Sequence, residues 1–245
     1  MHPSENNADK VAPEPNSYSP VTLFALLIIV VQILISLATY PFLPDIVPTH
    51  WNAAGQVNGY APKWVNAILF PLISIGIFVL IRLLLAAGPR LGYQNSRRAN
   101  LEIVNLIING VLLLMLVLQL VVTAFSLGMK IDINFVVILS ISILFIFIGN
   151  YLGKLRRNFW MGIRTPWTLT NAVVWERTHR LGGWLFVAVG LIGIPCSFIP
   201  ALRLWGLIVP LIAVSIFLYI YSYVCYQQQP HEEREPLSPP FDDNG

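Results

Sequence analysis

The sequence predicts an all-α integral membrane protein: a bundle of six transmembrane helices with a structured extracytoplasmic loop and an amphipathic cytosolic segment. Three observations support this fold class. Hydrophobic residues make up 56% of the chain and charged residues 11%, with a mean hydropathy of +0.68. A soluble domain has about 25% charged residues, so this chain cannot cover a water-facing surface. The apolar residues also fall into six runs, and the basic residues cluster between particular runs.

The six runs have lengths suited to a bilayer. They are roughly Val21–Thr39, Asn66–Ala87, Leu101–Leu127, Phe135–Leu152, Trp184–Ile199 and Leu204–Tyr226. A helix needs about 20 residues to cross a hydrocarbon core of about 30 Å. The fifth run is short, so we expect its helix to begin earlier, within the polar segment before it. The first run follows a mostly polar stretch without a basic region, which predicts a span rather than a cleaved signal peptide.

The distribution of Lys and Arg predicts the orientation. With the N-terminus inside, nine of these residues fall in inner connections, and only Lys63, Lys130 and Arg203 fall in outer ones. Cations beside a span mark the cytosolic side. We therefore expect a multi-pass membrane protein with both termini cytosolic and the lipid bilayer as its surroundings.

The same pattern divides the chain into regions. Residues 21–87 hold the first two spans, and the outer loop 40–65 connects them. Residues 88–226 form a four-span region with an inner basic segment at 150–183. The tails, residues 1–20 and 227–245, are rich in polar residues and Pro, cannot bury apolar area, and are predicted to be disordered.

The outer loop holds the first set of candidate site residues. Three prolines stiffen its first half and exclude a regular helix. The recognition candidates are Asp45, His50, Trp51, Asn52, Gly55 and Lys63. Two interpretations stay open: a recognition surface for an external ligand, or a packed lid whose aromatic residues lie in the membrane interface. His50 alone does not make a zinc site, which needs three or four ligands, so we predict neither metal nor cofactor.

The third run carries a polar stripe. Glu102, Asn105 and Asn109 point within about 60° of one another on a helix. Arg82, near the inner end of the second span, is the expected partner of Glu102. Polar groups at membrane depth face the bundle interior and find partners. The stripe is therefore interpreted either as interhelical hydrogen bonding or as a polar pocket that faces the cytosol.

The basic segment, residues 150–183, holds the second set of candidates. Its cations alternate with tryptophans, a pattern typical of a cytosolic membrane surface. Pro166 should force Thr165 out of helical dihedral angles, after which Thr168 or Thr170 would cap an amphipathic helix. Trp175 and His179, at i and i+4, share one face of that helix. The helix is expected to turn into the membrane at Gly182-Gly183.

The inner candidates are Asn150, Asn158, Arg164, Thr165, Pro166, Trp167, Trp175, His179 and Arg180. Three interpretations stay open for them. The segment could anchor at lipid headgroups through Arg and Trp, dock a cytosolic partner, or use His179 in catalysis. An ion pair between Glu176 and Arg180 is also expected on another face of the helix.

A family resemblance lies in these two regions. Residues 149–183 contain GN…K…N…GIRTPWTL…VW…THR..G, which resembles the signature of the SdpI family of bacterial membrane proteins. The outer loop resembles the family's N-terminal domain of unknown function, P-x-H-(W/F)-N-x-x-G-x-x-(D/N)-G-Y. This sequence supplies Pro48, His50, Trp51, Asn52, Gly55, Asn58, Gly59, Tyr60 and Lys63.

The resemblance implies a protein of the bacterial cytoplasmic membrane that gives immunity against a secreted toxic peptide outside the cell. In the family's founding system it also implies a cytosolic repressor held at the membrane. A small-molecule transporter, or a membrane interaction protein of unknown ligand, remains the alternative, although no paired short spans indicate inverted repeats. We do not expect an enzyme, because Glu102 is the only acidic residue at span depth and lacks a second carboxylate. The net charge of +3 is too small to indicate nucleic-acid binding.

Overall fold

The computed structural model describes residues 20–87, 94–158 and 161–230, with the backbone alone for residues 94–99. The helices are α1 (Pro20–Thr39), α2 (Lys63–Ala87), α3 (Gln94–Ser126), α4 (Ile133–Leu152), α5 (Pro166–Thr170), α6 (Ala172–Ser197) and α7 (Trp205–Gln227). Six helices are long and apolar enough to cross a membrane, α5 being the short exception. The predicted six-span helical bundle is thus confirmed. The tails predicted to be disordered lie almost wholly outside the described residues.

The loop between α1 and α2 folds into an antiparallel hairpin of β1 (Ile46–Trp51) and β2 (Val57–Pro62), preceded by a 3-10 turn at Tyr40–Phe42. The loop is structured, as predicted, but its strands were not foreseen. Pro48 pairs with Tyr60 within the hairpin, and the register shifts twice between Pro48 and Trp51. We call this side of the bundle the hairpin end and the side that carries residues 150–183 the basic end.

Helix α6 begins within the polar segment at Ala172, as expected from the short fifth run. The predicted turn at Gly182-Gly183 is wrong, since α6 continues through both residues to Ser197. These glycines serve helix packing instead. A Cβ added at Gly183 would lie 2.7 Å from the carbonyl oxygen of Gly149 on α4, and one at Gly149 would lie 2.6 Å from that of Gly183. Small residues let two membrane helices approach closely, and α4 and α6 use them here.

Two apolar cores hold the bundle together. The larger one joins residues of α1, α2, α3, α4 and α6 and includes Leu155 and Trp175 near the basic end. A smaller one joins Ile138, Val189 and Leu207 on α4, α6 and α7. The lipid-facing sides of α1, α2 and α7 expose long apolar side chains, which the hydrocarbon core would solvate. The larger core therefore lies against the segment with the most polar candidate residues.

Candidate functional site

At the basic end, residues 153–158 and 161–180 form the cap, which packs against α3, α4 and α7. Its chain wraps around the first turns of α6. The indole Nε1 of Trp175 donates to the carbonyl oxygen of Leu155 at 2.7 Å, and both side chains are buried. Trp175 thereby joins the irregular chain before α5 to the helix after it.

His179 is fully buried beside Trp175, and the two rings stack with centroids 3.8 Å apart, as their shared helix face predicted. Its Nε2 accepts a hydrogen bond from the backbone N–H of Ile163 at 2.9 Å. Its Nδ1 lies 2.8 Å from the carbonyl oxygen of Trp175. Because a backbone N–H can only donate, Nε2 carries no proton and Nδ1 donates. Both nitrogens of this neutral imidazole are therefore occupied by backbone groups, an arrangement that suits positioning rather than proton transfer.

Gly162 is a cap residue that sequence reasoning did not single out as a site residue. Its φ is +115°, a left-handed conformation that side chains rarely adopt. A Cβ at this position would also collide with Nε2 of His179. Gly162 is thus required both by its backbone conformation and by the close approach of the imidazole. The only signal in the sequence was its place before Ile163-Arg164-Thr165-Pro166.

The turn at Thr165-Pro166 begins α5. Thr165 is extended, with φ −101° and ψ 161°, as the following proline predicted. Its Oγ1 accepts from the backbone N–H of Thr168, whose own Oγ1 accepts from the N–H of Thr165 at 2.9 Å. Thr165 Oγ1 also lies 3.0 Å from the hydroxyl of Ser222 on α7. This reciprocal cap fixes the turn to the bundle.

The helix that follows is capped differently from the prediction. Neither Thr168 nor Thr170 caps α6; the side chain of Asn171 does, accepting from the N–H groups of Val173 and Val174. The two threonines are instead used within α5. Trp167, also on α5, packs against two tyrosines of α7, Tyr219 and Tyr223, with centroids 5.2 and 5.0 Å away.

Two buried asparagines hold the chain that leads into this turn. Asn100 of α3 donates to the carbonyl oxygen of Arg156 at 2.9 Å and accepts from the N–H of the same residue at 2.8 Å. Asn158 donates to that carbonyl and accepts from the N–H of Met161. Asn158 was a predicted candidate, whereas Asn100 was missed. In the sequence it stands beside the start of an apolar run, where an asparagine resembles an ordinary helix boundary.

The remaining basic-end candidates lie at the surface. Asn150 is exposed, and its side chain donates to the carbonyl oxygen of Ile146 one turn earlier in α4. Arg164 and Arg180 are exposed on the cap. The expected ion pair between Glu176 and Arg180 is not formed. The structure therefore separates a buried polar interior of the cap from an outer layer of charge.

The polar stripe of α3 divides in the same way. Asn105 and Asn109 are buried, and Asn109 donates to the carbonyl oxygen of Val21 on α1 at 2.9 Å, so this residue joins two helices. Glu102 is exposed and forms no ion pair with Arg82, whose guanidinium lies 6.0 Å from the ring of Phe78. Because Glu102 lies near the basic-end surface, it reaches the outside of the bundle instead of pairing across helices.

At the hairpin end, most candidates are used in structural contacts. Asp45 and Lys63 form an ion pair at 3.0 Å, and their backbone groups hydrogen bond as well. Trp51 packs edge to face on Phe125 of α3 with centroids 5.5 Å apart. His50 is exposed and hydrogen bonds to Asn58 across the hairpin. These contacts favour the lid interpretation, with His50 left at the surface.

The hairpin turn is also fixed to the bundle. The side chain of Asn52 accepts from the N–H groups of Ala54 and Gln56, and Gly55 takes a positive φ of +80°. The side chain of Asn134, at the start of α4, donates to the backbone carbonyl of Asn52 at 3.0 Å. Beside the hairpin, α1 and α2 enclose an apolar groove of about 480 Å³.

Two regions of the chain are similar to known families, one that contains the hairpin and one that contains most of the cap. Residues 27–75 match a domain of unknown function, DUF1648, and residues 154–223 match the SdpI/YfhL protein family. The chain is 26% identical over 176 residues to "Immunity protein SdpI" of Bacillus subtilis (strain 168), covering 72% of this chain and 81% of that relative. No solved structure gives a significant match. These matches confirm the resemblance to the SdpI family: residues 27–75 are similar to DUF1648 and residues 154–223 to the SdpI/YfhL protein family.

Proposed function

We propose that this protein is an immunity protein of the bacterial cytoplasmic membrane that protects its host cell against a secreted toxic peptide. The similarity to the Bacillus subtilis immunity protein, which extends over 81% of that relative, is the observation that carries this proposal. The two family matches also coincide with the hairpin end and the cap, the two parts of the molecule that carry most of the candidate residues. No step of the proposal requires catalysis.

In this proposal the hairpin faces outward and both termini are cytosolic. The distribution of cations supports that orientation, because the cap holds Lys154, Arg156, Arg157, Arg164, Arg177 and Arg180, whereas the hairpin end holds Lys63, Lys130 and Arg203. Labelling of intact cells tests it. In a Cys196→Ala/Cys225→Ala background, a membrane-impermeant thiol reagent should label Gln56→Cys and spare Lys154→Cys. Both positions are exposed, so the reverse pattern would contradict the orientation.

A membrane-active peptide that approaches from outside meets the hairpin end first. His50 and Tyr60 lie on the exposed surface of the hairpin. Beside it, the groove between α1 and α2 is lined by Ile33, Leu37, Ile68 and Leu72, with the aromatic side chains of Tyr40 and Trp64 in its wall. These surfaces supply the apolar and aromatic contacts that an amphipathic peptide needs, and we assign the encounter with the toxin to them.

The cap would hold a cytosolic repressor. The first turns of α6 support this second task, because Val173 and Glu176 are exposed on a helix whose start is fixed by the Asn171 cap. Recovery of a DNA-binding protein with the tagged wild-type chain from its own host membranes, and its loss in Val173→Glu, is the expected result. Equal recovery with both chains would remove this surface from the proposal.

Complementation tests the immunity function. A Bacillus subtilis strain lacking its own immunity protein receives this chain or an empty vector and grows in medium conditioned by the parent strain. Cells with the wild-type chain should survive, whereas vector cells should not. Death of both, at a membrane abundance equal to that of the native immunity protein, would contradict protection against this toxin.

Arg164→Lys sharpens that experiment. Lysine keeps the charge but loses the planar set of donors with which arginine binds carbonyl and carboxylate groups, so survival should fall. The matched control is Arg180→Lys, an equally conservative change at another exposed cap arginine, for which survival should stay near wild type. Equal survival for all three chains would remove the role given to Arg164 and leave the immunity proposal intact.

A further inference from the structure

The cations at the two ends of the bundle differ in how they are neutralised. At the hairpin end, Lys63 pairs with Asp45 at 3.0 Å, and Arg203 pairs with Asp132 at 2.7 Å. The described residues of the basic end include five exposed cations, namely Arg164 and a group of four, Lys154, Arg156, Arg177 and Arg180. Among the described residues no carboxylate neutralises these four cations, and all four are accessible to a negatively charged ligand.

These four cations do not all lie beside the same helix. Arg156 lies beside α3, because Asn100 holds both of its backbone groups. Arg180 lies beside the end of α4, where a Cβ added at Gly153 would be 3.3 Å from its Cα atom. The four cations therefore lie along more than one helix of the bundle.

Their depth matches that of lipid headgroups. Helix α4 has 20 residues, so it spans about 30 Å, the thickness of the hydrocarbon core. Lys154 follows two residues after its end, and Arg180 lies at the level of Gly153. Trp184 lies one helical turn deeper than Arg180, and its side chain is 73% exposed. An exposed indole at this position marks the boundary between hydrocarbon and headgroups.

The backbones that carry these cations are fixed before any ligand binds. Asn100 and Asn158 hold the chain at Arg156, and Arg177 and Arg180 project from the capped α6 helix. The ring of Tyr151 lies 4.9 Å from Nζ of Lys154. A surface whose backbone is already ordered loses less conformational entropy on binding, so a modest attraction per cation suffices.

We propose that Lys154, Arg156, Arg177 and Arg180, which we call the ring, bind the headgroups of anionic phospholipids around the cap. The phosphates and additional negative charges of these lipids pair with Lys and Arg, and lipid molecules surround a membrane protein on all sides. The ring fixes the depth of the cap in the membrane, and it acts whether or not the chain confers immunity.

Native mass spectrometry of the purified full-length protein tests the ring. The protein, in neutral detergent, is mixed with equal amounts of phosphatidylglycerol and phosphatidylcholine, and the bound lipids are counted. Wild type should retain phosphatidylglycerol preferentially. Each Arg→Gln change in the ring should lower that preference about five-fold, the effect of one cation near a charged surface. Lys130→Gln removes an exposed cation at the hairpin end and should change the preference for phosphatidylglycerol by less than about two-fold from wild type.

Two further measurements decide the result even where a Gln variant folds poorly. The preference of the wild type should fall as salt rises from about 0.01 to 1 M, because the Debye length shortens from about 30 to 3 Å. Arg→Lys variants should keep it, since a phosphate attracts either cation. Equal retention of both lipids by the wild type, or a preference indifferent to salt, would overturn the ring. Preferential binding of soluble polyglutamate over phosphatidylglycerol would overturn it as well and assign the surface to an acidic protein.

Discussion

The cap and the hairpin hold irregular stretches of chain at opposite ends of the bundle, and they do so by different means. In the hairpin, β1 and β2 satisfy each other's backbone groups, and the side chains of Asn52 and Asn134 bond to the turn. Within the described residues of the cap no strand pairs with another. Side chains take over instead: His179 and Asn100 bond to backbone groups of distant segments, and Asn158 bonds to backbone groups on either side of it.

This difference determines where each end is vulnerable. When a side chain satisfies a buried backbone group, its removal leaves that group unpaired at a cost of about 1–3 kcal/mol. When two strands satisfy each other, most side chains can change without that penalty. We therefore expect the stability of the cap to depend on a few residues and that of the hairpin to be spread over many.

The largest effect should come from Gly162→Ala. The substitution strains a left-handed backbone and pushes Cβ into Nε2 of His179, so it should lower the free energy of unfolding by about 3 kcal/mol or more. Gly128→Ala is the matched control, because Gly128 also has a positive φ but has open space around it; about 1 kcal/mol is expected. Thermal unfolding in detergent micelles measures both. Equal losses of unfolding free energy for the two variants would mean that the contact with the His179 imidazole does not affect stability.

The two histidines compare the ends directly. His179→Phe keeps a ring beside Trp175 but leaves the N–H of Ile163 unpaired in a buried site, which should cost about 1–3 kcal/mol. His50→Phe changes an exposed residue of the hairpin and should stay within about 0.5 kcal/mol. Thermal unfolding in detergent micelles measures the loss of stability in both variants. A larger loss for His50→Phe would reverse the contrast between cap and hairpin.

Asn100→Leu should loosen the cap more locally. It removes both bonds to Arg156, although Asn158 still donates to the carbonyl oxygen, so a loss of about 1–2 kcal/mol is expected. Limited digestion of the detergent-solubilised protein with trypsin should show faster cleavage after Arg156 and Arg157. Asn150→Leu is the control, because that exposed side chain bonds only within its own helix. Identical digestion rates for the two variants would show that Asn100 does not hold this loop.

Local signals in the sequence predicted the spans and several features of the cap. Run length gave six helices, Pro166 placed the break at Thr165, and the spacing of four residues placed Trp175 and His179 on one face. Each of these features depends on neighbours along the chain. Helix periodicity and proline geometry act over a few residues, and a single sequence contains that information.

The features that were missed depend on contacts between distant segments. Asn100 bonds to Arg156, and nothing near Asn100 in the sequence indicates that partner. The pair Gly182-Gly183 suggested a turn because glycine ends helices, but Gly149 on α4 makes the same residues a packing surface. The hairpin was hidden because Pro48 argues against a strand and a bulge interrupts the alternation of side chains.

The smallest effect should come from the ion pair that joins the ends of the hairpin strands. The side chain of Asp45 is 92% exposed, so water and salt screen its attraction to Lys63, and Asp45→Asn should cost at most about 0.5 kcal/mol. The backbone bond from the N–H of Lys63 to the carbonyl oxygen of Asp45 remains and keeps the strand ends together. A double-mutant cycle with Lys63→Met at low and high salt isolates the pair. A coupling above about 1 kcal/mol that persists in high salt would show that the hairpin, like the cap, depends on single side chains.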